Sequence, residues 1–126
     1  MAKILIADDD PDFVDASKII LEKEGHKILT ADNVRDVMRL LDKENPELLI
    51  IDVMMEQPDD GIAIAQELRR KGNTIPIIMI TSISKLSGME YGKDESLVPV
   101  DEFQEKPIEP RKLVELVNKL LKGKGV

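Results

Sequence analysis

Three short runs of consecutive apolar residues constrain the fold most: Ile4-Leu5-Ile6-Ala7, Leu48-Leu49-Ile50-Ile51 and Ile77-Ile78-Met79-Ile80. None alternates apolar with polar, so each suits a strand buried on both faces, as in a parallel sheet covered by helices. Each run also stops at polar chemistry. Asp8-Asp9 follow the first, Asp52 the second and Thr81 the third, while Lys106 comes three residues after Phe103. In parallel α/β sheets ligands bind beyond the carboxyl ends of the strands. Three carboxylates, a hydroxyl and an ammonium gathered there would suit a hard cation together with an anion.

Helical patterns fill the gaps between the runs, which predicts an α/β alternation from end to end. Asp10 can cap a helix with Pro11 in its first turn, with Phe13, Ala16, Ile20 and Leu21 on one face and a stop at Gly25. Lys27 to Ala31 reads as a second strand. Asn33 caps a helix with Val34, Val37, Met38 and Leu41 inward, closed by Asn45-Pro46. After the strand Leu48 to Asp52, a loop from Val53 to Asp60 leads into a helix from Gly61 to Lys71, and Pro76 to Thr81 forms the next strand. Pro110 opens the last helix, with Leu113, Leu116, Val117 and Leu120 as its stripe, and Lys122 to Val126 reads as a frayed tail. The segment Ser82 to Val100 lacks a sustained apolar period; it leaves room for a short helix around Lys85 to Tyr91, then a loop through Gly92 to Ser96.

At 126 residues the chain is one domain with a core of ordinary size. Its net charge of −7 argues against direct nucleic-acid binding and against anionic membrane surfaces. There is no cysteine, hence no disulfide framework or thiolate metal site, and aromatic residues make up only 2%, too few for base-stacking platforms. No apolar stretch is long enough to span a bilayer and no signal-peptide pattern opens the chain, so a cytoplasmic location is the expectation. His26, the sole histidine, reads as a surface or turn residue.

Magnesium favours octahedral oxygen coordination by one or two carboxylates plus phosphate oxygens, a donor set that Asp8, Asp9 and Asp52 match. An aspartate can also act as a nucleophile toward phosphorus and yield an acyl phosphate. Lys106 would neutralise charge on the transferred group, and Thr81 could donate a hydrogen bond to it. Singly, these residues have ordinary explanations: acidic residues after strands cap helices, and Asp10 is better read as a cap than as a ligand. Together, in this order at four strand ends, they are hard to dismiss.

The order Asp-Asp, Asp, Thr, Lys-Pro resembles the receiver domain of two-component response regulators, over a span from Lys3 to about Lys122. The resemblance implies a CheY-like (flavodoxin-like) (βα)5 three-layer sandwich with a five-stranded parallel sheet of order 2-1-3-4-5. It implies Asp52 as phosphoacceptor, Asp8 and Asp9 as the acidic pair with Asp9 the direct metal ligand, and the Met54 carbonyl as the remaining protein ligand for Mg. Thr81 matches the switch hydroxyl, Lys106 the phosphate-pairing lysine, Pro107 a proline reached through a cis bond, and Phe103 the switch aromatic. The implied function is a stand-alone receiver, residues 1–126 without an output domain, that catalyses only its own phosphorylation and dephosphorylation. Its partners would be a sensor histidine kinase or phosphotransfer protein and a downstream protein, with a phosphorylation-dependent homodimer as another route. The pattern also departs from the family: Gly61 follows Asp52 by nine positions, about one more than usual, and Glu56 replaces a common proline. Two other readings compete, a receiver-like scaffold that is never phosphorylated and an Asp-nucleophile phosphatase. The phosphatase reading wants a second aspartate where Met54 stands, and a dinucleotide-binding turn would want glycines where Asp8-Asp9-Asp10-Pro11 stand.

Overall fold

The computed structural model describes residues 2–53, 55, 60–82 and 100–124, including the side chains of all of these except 81, 82, 123 and 124. The element order is β1 (Lys3–Ala7), α1 (Pro11–Lys23), β2 (Lys27–Ala31), α2 (Val34–Glu44), β3 (Leu48–Asp52), α3 (Asp60–Arg70), β4 (Ile77–Ser82), β5 (Glu102–Lys106) and α4 (Pro110–Lys124). The strands form one parallel sheet in the order β2-β1-β3-β4-β5. The helix expected over Lys85 to Tyr91 lies outside the described residues.

Strand alternation sends successive side chains to opposite faces, so each apolar run feeds two cores. Leu5, Leu49, Ile51, Ile77 and Met79 pack with Val37 and Leu41 of α2 and with Ile62, Ala65 and Leu68 of α3. On the other face Ile4, Ile6, Leu48, Ile50, Ile78 and Ile80 meet Leu21 of α1 and Leu113, Leu116 and Val117 of α4. Every residue of β3, Asp52 included, is buried. At roughly 1.5–3 kcal/mol for each fully buried Leu or Ile, this two-sided burial is the main source of stability. It leaves the sheet's carboxyl end as the place where polar groups gather.

The helix ends follow local chemistry. Asp10 accepts from the amides of Asp12 and Phe13 with Pro11 at the first helical position, and Asn33 Oδ1 accepts from Asp36 N at 2.9 Å. Asn45 closes α2 in the left-handed region, at φ 47°. Boundaries expected from sequence shift in β4, α3 and α4, and β4 ends at Ser82 rather than Thr81. Strand β4 begins at Ile77 rather than Pro76, because proline has no N–H for the ladder; the Ile77 amide donates to Asp101 Oδ2 at 2.8 Å. Helix α3 starts and stops one residue earlier than Gly61 to Lys71, and α4 runs to Lys124, into the stretch read as a tail. His26 is half-buried, with Nδ1 accepting from the Ala2 amide at 3.1 Å, so it fastens the start of β1. No helix among the described residues is long and apolar enough to cross a membrane.

Candidate functional site

The sheet register builds the site. Ala7 pairs with Ile51, so Asp8 and Asp52, the next residue on each strand, emerge side by side. Ligand oxygens of Asp8, Asp9 and Asp52 all lie within 4.8 Å of one another. Asp8 and Asp52 are buried, at 2% and 1% exposure, and Asp9 is exposed. Lys106 ends β5, and its ammonium reaches back over the sheet end, 2.8 Å from Asp8 Oδ2 and 3.9 Å from Asp52 Oδ2.

Asp8 is the most perturbed group in the cluster. Burial pushes its carboxyl up to about 6; contact with Lys106 opposes the rise and the charge of Asp52 adds to it. Its Oδ1 accepts the Asp10 amide at 2.9 Å. Its Oδ2 lies 2.8 Å from the Lys106 ammonium and has no other donor among the described residues. Three oxygen donors, two of them removed from bulk water, and a partly satisfied buried carboxylate fit a hard divalent cation. A cleft of about 430 Å³ opens from Asp8 and Asp9 between α1 and the start of α2, with Thr30, Asp32 and Asp36 on its far wall.

The structure thus brings together Asp8, Asp9, Asp52 and Lys106, as expected from sequence. Thr81 lies in β4, paired in register with Glu105, but its side chain is outside the described residues. Met54 and Glu56 also lie outside them. The Lys106–Pro107 peptide is cis. Phe103 is half-buried and packs against the core on the α2/α3 face.

Three features escaped the sequence. Phe13, read there as a core-facing helix residue, has its ring 4.6 Å from the Lys106 ammonium. Asp10, read only as a cap, also places Oδ2 3.7 Å from that ammonium. Gly61, read as a helix start, donates its amide to Val53 O at 2.8 Å, against the backbone that carries Asp52. The available clue was position: long side chains in a first helical turn lean back toward the N-terminus, which here is the site.

The comparisons with known proteins agree with this geometry. The family model described as "Response regulator receiver domain" matches residues 4–118. The alkaline phosphatase synthesis transcriptional regulatory protein PhoP of Bacillus subtilis is 30% identical over 124 residues, 95% of this chain and 48% of that protein. The chain therefore spans about half the length of that curated relative. An uncharacterised 14.6 kDa protein of Leptolyngbya boryana is 33% identical over 116 residues, covering 90% of this chain and 86% of its own. Among solved structures, the Francisella response regulator 1452 receiver domain superposes with a TM-score of 0.84 at 25% identity, covering 98% of this chain and 99% of its own. Fold, strand order and family model agree: the chain belongs to the response regulator receiver domain family.

Proposed function

We propose that the chain accepts a phosphoryl group on Asp52 from a histidine kinase or phosphotransfer protein and signals through the resulting change of surface. The observation that carries this reading is the placement of a buried Asp52 carboxylate 3.9 Å from the Lys106 ammonium and beside Asp8 and Asp9. An Asp52 oxygen attacks phosphorus in line with the donor's P–N bond. That bond breaks, the imidazole leaves neutral because its other ring nitrogen already carries a proton, and an acyl phosphate remains. Lys106 turns from Asp8 toward the transferred group and offsets its charge. Receiver domains generally use magnesium; here Asp8, Asp9, Asp52 and the carbonyl of Met54 would hold it, and it would supply further charge neutralisation. Thr81, near the end of β4, is assigned the hydroxyl that follows the phosphoryl group. Water later cleaves the acyl phosphate, releasing phosphate and returning Asp52 to its free carboxylate, so the chemistry is confined to the chain's own side chain.

We further propose that residues 1–126 act as one receiver module in the cytoplasm, whose signal passes by contact with a partner domain, another protein or a second copy. The net charge of −7 weighs against direct contact of this module with nucleic acid. The test is intact mass after incubation with a small acyl-phosphate donor and magnesium. One added phosphoryl group is expected on the wild type and none on Asp52→Asn. Equal uptake by that variant would remove Asp52 from the role.

A further inference from the structure

Among the described residues, the Lys106 ammonium has three carboxylates around it and an aromatic ring beside it. Asp8 Oδ2 is at 2.8 Å, Asp10 Oδ2 at 3.7 Å and Asp52 Oδ2 at 3.9 Å. That ring is Phe13, with its centroid 4.6 Å away. Only 12% of the lysine side chain is exposed, so water competes weakly for the cation. A ring face attracts a cation through its quadrupole and accepts no directed hydrogen bond, which gives a broad, shallow attraction.

We infer that Phe13 is a positioning residue for Lys106: its ring holds the ammonium between Asp8 and Asp52 and keeps it free to turn toward a phosphoryl group. The inference deepens the reading of Asp52 as phosphoacceptor and rests on it. In the unphosphorylated chain the ammonium sits closer to Asp8, at 2.8 Å, than to Asp52, at 3.9 Å, and must leave Asp8 to meet a phosphoryl group. The ring supplies an attraction that remains whichever carboxylate the ammonium faces.

The first turn of α1 anchors this arrangement. Asp10 Oδ1 accepts from the amides of Asp12, at 3.1 Å, and of Phe13 itself, at 3.4 Å. The other oxygen of the same carboxylate faces Lys106. One side chain thereby ties the ring's backbone to the lysine's position. Phe13 also packs against the core on the α1/α4 face, which limits its rotamers.

The experiment compares Phe13→Leu, which keeps apolar bulk and loses the quadrupole, with Phe13→Tyr, which keeps both. The first measurement is the shift of the Lys106 side-chain methylene resonances in the unphosphorylated protein. Wild type and Phe13→Tyr should show a ring-current displacement that Phe13→Leu lacks. The second is the rate of phosphoryl uptake at saturating magnesium. It should fall roughly three- to tenfold in Phe13→Leu and stay within about twofold in Phe13→Tyr, as expected from losing a partly desolvated cation–π contact. Magnesium affinity should be alike in all three, which separates lysine placement from damage to the carboxylates. Equal uptake by Phe13→Leu and wild type, or an equal loss in both variants, would overturn the role, as would undisplaced Lys106 resonances in the wild type. If the wild type takes up no phosphoryl group, the reading of Asp52 fails, while the resonance comparison still decides whether the ring holds the lysine.

Discussion

Replacing Gly61 with alanine is expected to destabilise the protein by roughly 3 kcal/mol or more, the upper end of what backbone shifts forced by overpacking cost. A Cβ at this position would lie 2.0 Å from Asp52 O, 2.8 Å from Asp52 C and 2.9 Å from Val53 Cα. All three are main-chain atoms, so no side-chain rotation can make room. The Gly61 amide is held as well, through its 2.8 Å bond to Val53 O. Two escapes remain. Helix α3 can lift from the sheet, loosening Ile62, Ala65 and Leu68, all now buried. Alternatively the end of β3 can shift, which moves Asp52 relative to Lys106. Chemical denaturation of Gly61→Ala should therefore show a much lower midpoint, and the folded fraction should accept phosphate poorly. A loss under about 1 kcal/mol would show that α3 is seated loosely and that glycine is not required there.

That glycine marks the boundary of what could be read in the sequence. Leu48 to Asp52 announced β3 to the residue because five consecutive buried positions need five apolar or specially paired residues. The site carboxylates were legible for the same reason, since a charged residue directly after such a run has only the strand end to occupy. Strand β5 was less visible. Its sequence Glu-Phe-Gln-Glu-Lys has no apolar run because it is an edge strand, paired only with β4, and most of its residues are half-buried. Only Phe103 and the Lys106-Pro107 pair pointed to it. The contacts of Phe13 and Asp10 with Lys106 join residues more than ninety positions apart, and no local pattern encodes such an approach. The closeness of Gly61 to Asp52 likewise depends on how α3 seats on the sheet. Periodicity therefore located the elements, and tertiary packing alone defined the support around the lysine and the acceptor.

The other large effect concerns Asp8, where the site's chemistry opposes folding. Its carboxyl rises from the usual 3.8 to about 6, chiefly through burial, with the charge of Asp52 adding to the rise and contact with Lys106 opposing it. A carboxyl with a raised value binds protons more readily in the folded state than in the unfolded chain. Between about pH 6 and pH 4, then, the native state holds more protons, and stability increases as pH falls through that window. Above it, the ionised buried carboxylate costs on the order of 3 kcal/mol, at about 1.4 kcal/mol for each tenfold difference in proton affinity between the folded and unfolded chain. Asp8→Asn keeps the shape and an oxygen able to accept the Asp10 amide, now 2.9 Å from Asp8 Oδ1, while removing the charge. That cost is already net of the 2.8 Å pair with Lys106, so loss of the pair is not subtracted again. In metal-free buffer near pH 7.5 the variant should be more stable than wild type by roughly 1–3 kcal/mol, and the gap should close toward pH 4. Magnesium should reverse the order near neutral pH. A cation bound only by the native state adds about 2.7 kcal/mol at a hundred times its dissociation constant, and the variant, short of one carboxylate, should gain far less. Urea melts of both proteins at about pH 7.5 and pH 4.5, with magnesium and with a chelator, measure all of these differences. A wild type more stable than Asp8→Asn in chelator at the higher pH would show that the Lys106 pair outweighs burial, and that the carboxylate cluster is not strained by its own charge.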